Sequence, residues 1–195
     1  MNAQAPLQIS AVKIVGAGLI GTSIGLALAQ QGVSITIEDA DEKALALARD
    51  LLAPYIKASG GEGKEFDLVV IATPPASVIG ALKSEFVINP KSVFIDVSSV
   101  KTNLIHEIEV LPALSQSFVG THPMAGREVS GASSAQADLF NGRAWIITPT
   151  SNSSERAIAI AKQLIKALGA SSYEMNAQDH DHLMARISHL PQIAS

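Results

Sequence analysis

Cysteine is absent from the 195 residues. That excludes a disulfide framework, a thiolate nucleophile and a cysteine-ligated zinc site. Aromatic residues make up only 4% of the chain, with a single Trp, although 47% of it is hydrophobic. The core must therefore be aliphatic, which favours a parallel sheet buried under helices over a sandwich. Dense basic blocks are also missing: 14 Lys and Arg stand against 18 Asp and Glu, a net charge of −4 with neutral histidines. Phosphate neutralisation needs clustered cations, so nucleic acid is not an expected partner. Charge of either sign is absent from Ile14 to Ile37, 24 residues in a row. A run of that length can span a bilayer. Here Gly16, Gly18, Gly21, Gly25 and Gly32 interrupt it, and Thr22, Ser23, Gln30 and Gln31 are polar. It reads as a strand, a tight turn and a buried helix, and neither a membrane segment nor a signal sequence is expected. The expected setting is the cytoplasm, with which the lack of cysteine is compatible.

What is present is an alternation. Short apolar runs at 12–15, 33–37, 68–72, 92–97, 117–120 and 144–148 predict strands, and SSYEM at 171–175 reads as a last one. Helical spacing covers 19–31, 43–52, a stretch from the TPPAS turn to about Glu85, 101–110, and a segment from Ser153 or Ser154 to Leu168, with a last helix from Asn176. Strands alternating with helices indicate a doubly wound, Rossmann-type α/β fold with a mostly parallel sheet. Residues 1–10 read as a flexible lead-in, 11–175 as a dinucleotide-binding domain, and 176–195 as the start of a helical domain.

Several motifs fall where these strands meet their helices. GAGLIG, residues 16–21, fits GxGxxG between a predicted strand and a predicted helix. Gly16 allows the tight turn, Gly18 lets backbone N–H groups approach a pyrophosphate, and Gly21 lets the helix pack close. Leu19 and Ile20 open the helix whose positive end faces the phosphates. Asp39 lies 23 residues after Gly16, at the end of the next strand. Its carboxylate would accept from ribose hydroxyls and repel a 2′-phosphate, so NAD is favoured, with NADP as the other possibility. Thr73, in TPP, sits at a strand end where it can contact a cofactor or cap the following helix. In DVSSVK, 96–101, Ser98 and Ser99 can face a ligand or cap a helix, and Lys101 offers a charge.

THPMAGRE, 121–128, sets His122 against a proline in a loop of the same predicted edge. An imidazole there can act as a general base near neutral pH. Among the histidines near the end, His180 and His182 are two apart and share no helix face, so no metal is expected. His182, Arg186 and His189 fall on one face, which borders a ligand or is solvated.

GAGLIG, ATPP, DVSSVK, GTHPMAG and SHLP, in this order, resemble the prephenate/arogenate dehydrogenase family of tyrosine biosynthesis, over about residues 12–195. The resemblance implies oxidative decarboxylation of a cyclohexadienyl substrate, with hydride passing from C4 to the nicotinamide. It implies that His122 takes the 4-hydroxyl proton, that Ser99 orients that histidine, and that His189 lines the substrate pocket. Two residues depart from the family's pattern beside the side-chain end of the substrate: Gln192 stands where members often have a second histidine after SHLP, and Arg127 where a small or polar residue is common. They leave the choice between prephenate and arogenate open. The family continues into a helical domain that dimerises, so the resemblance implies a homodimer for the full-length protein. The other readings are a different Rossmann dehydrogenase and a non-catalytic dinucleotide-binding module.

Overall fold

Elements alternate along the chain because its apolar residues alternate between two spacings. The computed structural model describes residues 9–55, 65–125 and 131–189. Its strands are β1 (Ala11–Val15), β2 (Ser34–Glu38), β3 (Leu68–Ile71), β4 (Val93–Asp96), β5 (Phe118–Pro123), β6 (Ala144–Pro149) and β7 (Ser171–Glu174). Its helices are α1 (Leu19–Ala29), α2 (Glu42–Leu52), α3 (Pro75–Ile88), α4 (Thr102–Glu109), α5 (Pro112–Ser117), α6 (Glu155–Ala167) and α7 (Ala177–His189). The strands form one sheet in the order β2-β1-β3-β4-β5-β6-β7. Every neighbouring pair is parallel except β5 and β6. A parallel return needs a long crossover, usually a helix. Between β5 and β6 the described residues hold only a short 3-10 turn, Ala132–Ser134, and β6 runs antiparallel. The fold is thus the expected Rossmann-type α/β arrangement with a mostly parallel sheet.

Successive strand side chains point to opposite faces. Leu68 and Val70 of β3 join one core with Val12, Ile14 and Ile95, while Val69 and Ile71 join a second with Phe94 and Phe118. Helices α1, α2 and α6 close the first core through Ile24, Leu52 and Leu164. Helices α3, α4 and α5 close the second through Leu82, Ile108 and Leu114. Burying one such side chain contributes about 1.5–3 kcal/mol. Side-chain caps set two helix starts: Asp41 accepts from the N–H groups of Lys43 and Ala44, and Ser154 from that of Ala157. The short α5, opened by Pro112, was not predicted; six residues carry too little periodicity to reveal it. None of the described helices is long and apolar enough to cross a membrane.

The topology places the site. β2 lies on one side of β1 and β3 on the other. An open α/β sheet receives ligands above the carboxyl ends of its strands at such a switch point. β4 and β5 run parallel to β3, so they end on the same edge.

Candidate active site

The turn after β1 separates what the fold requires from what it does not. Gly16 has φ +115°, and a Cβ there would lie 2.4 Å from the Ala72 carbonyl oxygen. A Cβ at Gly21 would lie 2.0 Å from the carbonyl oxygen of Gly16. Both glycines are demanded by close backbone approach. Gly18 is different: its φ is −77°, and a Cβ there would meet nothing within 4 Å. The protein leaves that space open. Leu19 and Ile20 open α1, and no side chain caps it, so its first-turn N–H groups remain for an anion.

Asp39 is fixed beside this turn. One carboxylate oxygen accepts from the Ala17 N–H at 2.6 Å and the other from the Asp41 N–H at 2.8 Å. The neighbouring Glu38 pairs instead with Lys13 at 3.0 Å. Across the switch point, the Thr73 hydroxyl is buried without a hydrogen-bond partner. It does not cap α3, whose N-cap is Pro74 and which has no side-chain cap, so the capping alternative for Thr73 is not what is seen. The open glycine and the uncapped helix start lie on this edge, and the Thr73 backbone N stands 3.0 Å from where a Gly16 Cβ would be. These features fit a dinucleotide.

A second cluster lies along the same edge. Asp96, at the end of β4, is fully buried with Lys101, and the Lys101 Nζ reaches its Oδ2 at 2.5 Å. Lys101 also donates to Ser98 Oγ at 3.0 Å, and the Ser98 N–H donates to Asp96 Oδ2 at 3.0 Å. The other Asp96 oxygen accepts from the Thr121 N–H at 3.2 Å, tying β4 to the residue before His122. The Ser98 hydroxyl, expected to line the cofactor, is thus held inside the Asp96–Lys101 pair. Neither Ser98 nor Ser99 caps α4. The N–H groups of Lys101 and Thr102 donate instead to Asp181 of α7, at 3.0 and 2.9 Å.

His122 is half-buried near the end of β5. Its ring partner is His180, with Nδ1 and Nε2 3.0 Å apart. His180 is fully buried, and its Nδ1 lies 2.8 Å from Asp181 Oδ1. Burial is the largest influence on His122 and pushes its pKa down; Lys101 and His180 lower it further, to about 4, against the opposing pull of Asp96 and Asp181. His122 is therefore neutral near pH 7. Burial would raise the Asp181 pKa, but hydrogen bonds from Thr102, His180 and Lys101 outweigh it and bring it to about 2. Burial lowers the pKa of Lys101 despite its carboxylate partners. Ser99 is exposed on the same loop and makes no hydrogen bond to His122 among the described residues.

The nucleotide-binding-domain model of prephenate dehydrogenase matches residues 24–174, more than half of the chain. The chain belongs to the prephenate dehydrogenase family. The probable prephenate dehydrogenase NovF of Streptomyces niveus is 36% identical over 182 residues, which cover 93% of this chain and 49% of that protein. The prephenate dehydrogenase of Bacillus subtilis (strain 168) is 33% identical over 195 residues, covering 94% and 51%. Prephenate dehydrogenase of A. aeolicus, solved with hydroxyphenyl propionate and NAD+, superposes with a TM-score of 0.84 at 28% identity, over 97% of this chain and 68% of that one. Synechocystis arogenate dehydrogenase gives 0.77 at 26% identity, over 93% and 65%. The chain spans about half the length of the curated relatives it matches.

The prephenate dehydrogenase domain match ends at Glu174, before α7, so His180, which meets His122, and its partner Asp181 lie outside it. Sequence reasoning paired His182, Arg186 and His189 on one face of this helix. His182 and Arg186 are exposed, and His189 is the last residue of α7. The inward face is Ala177, His180, Asp181 and Met184, at spacings of three, four and seven. The apolar Ala177 and Met184, flanking the His-Asp pair at helical spacing, were the signal that could have found it. Arg127 and Gln192 lie outside the described residues.

Proposed function

We propose that this chain is the cofactor-binding part of a dehydrogenase that oxidatively decarboxylates prephenate or arogenate, giving 4-hydroxyphenylpyruvate or tyrosine. The observation that carries it is a neutral, half-buried His122 on the same strand edge as a glycine turn with open space at Gly18. Family membership supports the substrate class, and the half-length match leaves the rest of the substrate pocket to residues beyond this chain. The homodimer implied for the full-length protein belongs to the same proposal.

Gly16, Gly18 and Gly21, the α1 N-terminus with Leu19 and Ile20, Asp39 and Thr73 hold the dinucleotide. NAD bound there supplies the acceptor for the C4 hydride. Asp39 disfavours a 2′-phosphate by like charge and selects NAD over NADP. His122 takes the proton of the substrate 4-hydroxyl as the C4–H electron pair leaves. When the bond to the ring carboxylate breaks and CO2 departs, the ring becomes aromatic, and His122 returns the proton to the phenolic oxygen. The net products are phenol, CO2 and NADH. Ser99, exposed on the loop after β4, is the residue proposed to meet the substrate hydroxyl. Asp96 and Lys101 hold the strand end rigid, which positions the base before substrate arrives.

The test couples binding with turnover. Purified chain is titrated with NAD and NADP, then assayed for NADH formation with prephenate and with arogenate; a protein extended through the helical domain is assayed in parallel. NAD binding, with turnover of one substrate by either protein and its loss in His122→Asn, is the expected result. Binding without turnover by the extended protein would leave a dinucleotide-binding module. No NAD binding by either would remove the reading altogether.

A further inference from the structure

We propose that His180 and Asp181 are positioning residues that lock His122 in its Nδ1–H tautomer, making Nε2 the atom that accepts the substrate proton. The proposal rests on the reading of His122 as the base.

The direction of each hydrogen bond follows from Asp181. Its Oδ1 accepts from the Lys101 N–H and its Oδ2 from the Thr102 N–H. Held by these donors at the start of α4, the group is a carboxylate and carries no proton of its own. His180 Nδ1, 2.8 Å away, must therefore donate to it. A neutral His180 then has a bare Nε2, which can only accept. His122 Nδ1 lies 3.0 Å from that atom and must donate. The His122 proton is thus placed on Nδ1, and Nε2 is left with a free lone pair. No described residue bonds to that Nε2. The reverse polarity would need an imidazolium at the fully buried His180, whose carboxylate partner Asp181 already accepts from two backbone N–H groups.

The arrangement also orients the ring. The two imidazoles meet edge to face, with centroids 5.2 Å apart and planes at 69°. When His122 takes the proton, an Nε2–H bond forms as the substrate O–H bond breaks. The resulting imidazolium keeps its Nδ1–H donated to His180, and the charge is balanced through His180 by Asp181. The matched nucleotide-binding region stops short of both residues. The competence of His122 therefore depends on α7 being docked.

The chain has five histidines, so their ring nitrogens can be resolved by two-bond 1H–15N correlation on 15N-labelled protein, with His122 assigned from His122→Asn. At pH 7 the expected pattern is a protonated Nδ1 and an unprotonated Nε2 at His122. His180→Leu removes the acceptor and should move His122 to the Nε2–H form or to a mixture. His180→Gln returns an acceptor oxygen near the former Nε2 and should restore Nδ1–H. An Nε2–H pattern in the unaltered protein overturns the proposal, as does an unchanged Nδ1–H pattern in folded His180→Leu. Should His180→Leu fail to fold, the unaltered chain and His180→Gln still decide. In the extended protein, His180→Leu should lower kcat about 100-fold with little change in KM, and His180→Gln should recover most of it. An extended protein showing Nδ1–H at His122 without any turnover would sink the functional reading and leave the tautomer assignment standing.

Discussion

The dinucleotide crevice and the histidine cluster share one edge of one sheet, yet they are built on opposite plans. The crevice is left unsatisfied. Gly18 leaves a space, Thr73 leaves a hydroxyl without a partner, and α1 starts without a cap. The cluster is saturated. Asp96 accepts from Lys101, Ser98 and Thr121, and Asp181 accepts from Lys101, Thr102 and His180. Unmet hydrogen-bonding capacity is costly in the free protein and is tolerated where a ligand will meet it. Met capacity stiffens the groups that have to be in place first. One region is shaped for its ligand; the other is organised in its absence.

The largest way to break this contrast is at the buried ion pair. Lys101→Met removes the cation and leaves the Asp96 carboxylate buried with neutral donors only. Breaking one side of such a pair costs about 3–5 kcal/mol, to be read from the urea unfolding midpoint. The same substitution removes a positive neighbour of His122 and should raise the His122 pKa. The glycines sharpen the comparison next. Gly21→Ala drives a methyl into the Gly16 carbonyl, and a stability loss of about 3 kcal/mol or more is expected. Gly18→Ala adds a Cβ that meets no protein atom within 4 Å, so the melting temperature should stay nearly unchanged while NAD affinity falls about 100-fold, or about 2.8 kcal/mol. Calorimetric titration and thermal unfolding together check the pair. An equal loss of stability in both variants would erase the distinction between a structural and a ligand-reserved glycine.

The two regions also differ in how far the sequence exposes them. The crevice is written in local signals: GAGLIG between a strand and a helix, Asp39 at the end of the following strand, Thr73 after LVVIA. Periodicity, with glycine, proline and capping signals, located the strands and the boundaries of most helices to within a few residues. The histidine cluster is written in none of these. His122 and His180 lie 58 residues apart, and Lys101 and Asp181 are separated by 80. Their meeting depends on how α7 lies against α4, which no local motif encodes. Ser98 shows the same limit. As a residue of DVSSVK it looked ligand-facing, but the neighbouring Ser99 is the exposed one, and only the buried Asp96–Lys101 pair explains why Ser98 turned inward. The antiparallel β6 was hidden for a related reason, since a strand pattern states burial and not direction.

The last expected effect concerns protonation of His122, the proposed base. His122 has a folded pKa lowered to about 4 from its ordinary 6.5, chiefly by burial and then by Lys101 and His180. The fold prefers the neutral ring, so the unfolded chain takes up the proton first as pH falls. Stability from this group is intact above about pH 6.5, declines as pH drops toward about 4, and levels off below that. Asp181 titrates in a separate, lower window: its folded pKa lies near 2, so its contribution is lost only as pH falls from its ordinary 3.8 toward 2. Between pH 6.5 and 4 the slope of the unfolding midpoint should therefore become shallower in His122→Gln than in the unaltered chain, and the His122 ring signals should titrate near pH 4. A ring titrating near 6.5 would mean that His122 is not desolvated and that the cluster is looser than its hydrogen bonds imply. It would also remove the contrast with the open crevice, because the base would then have to be organised by the substrate and not before it.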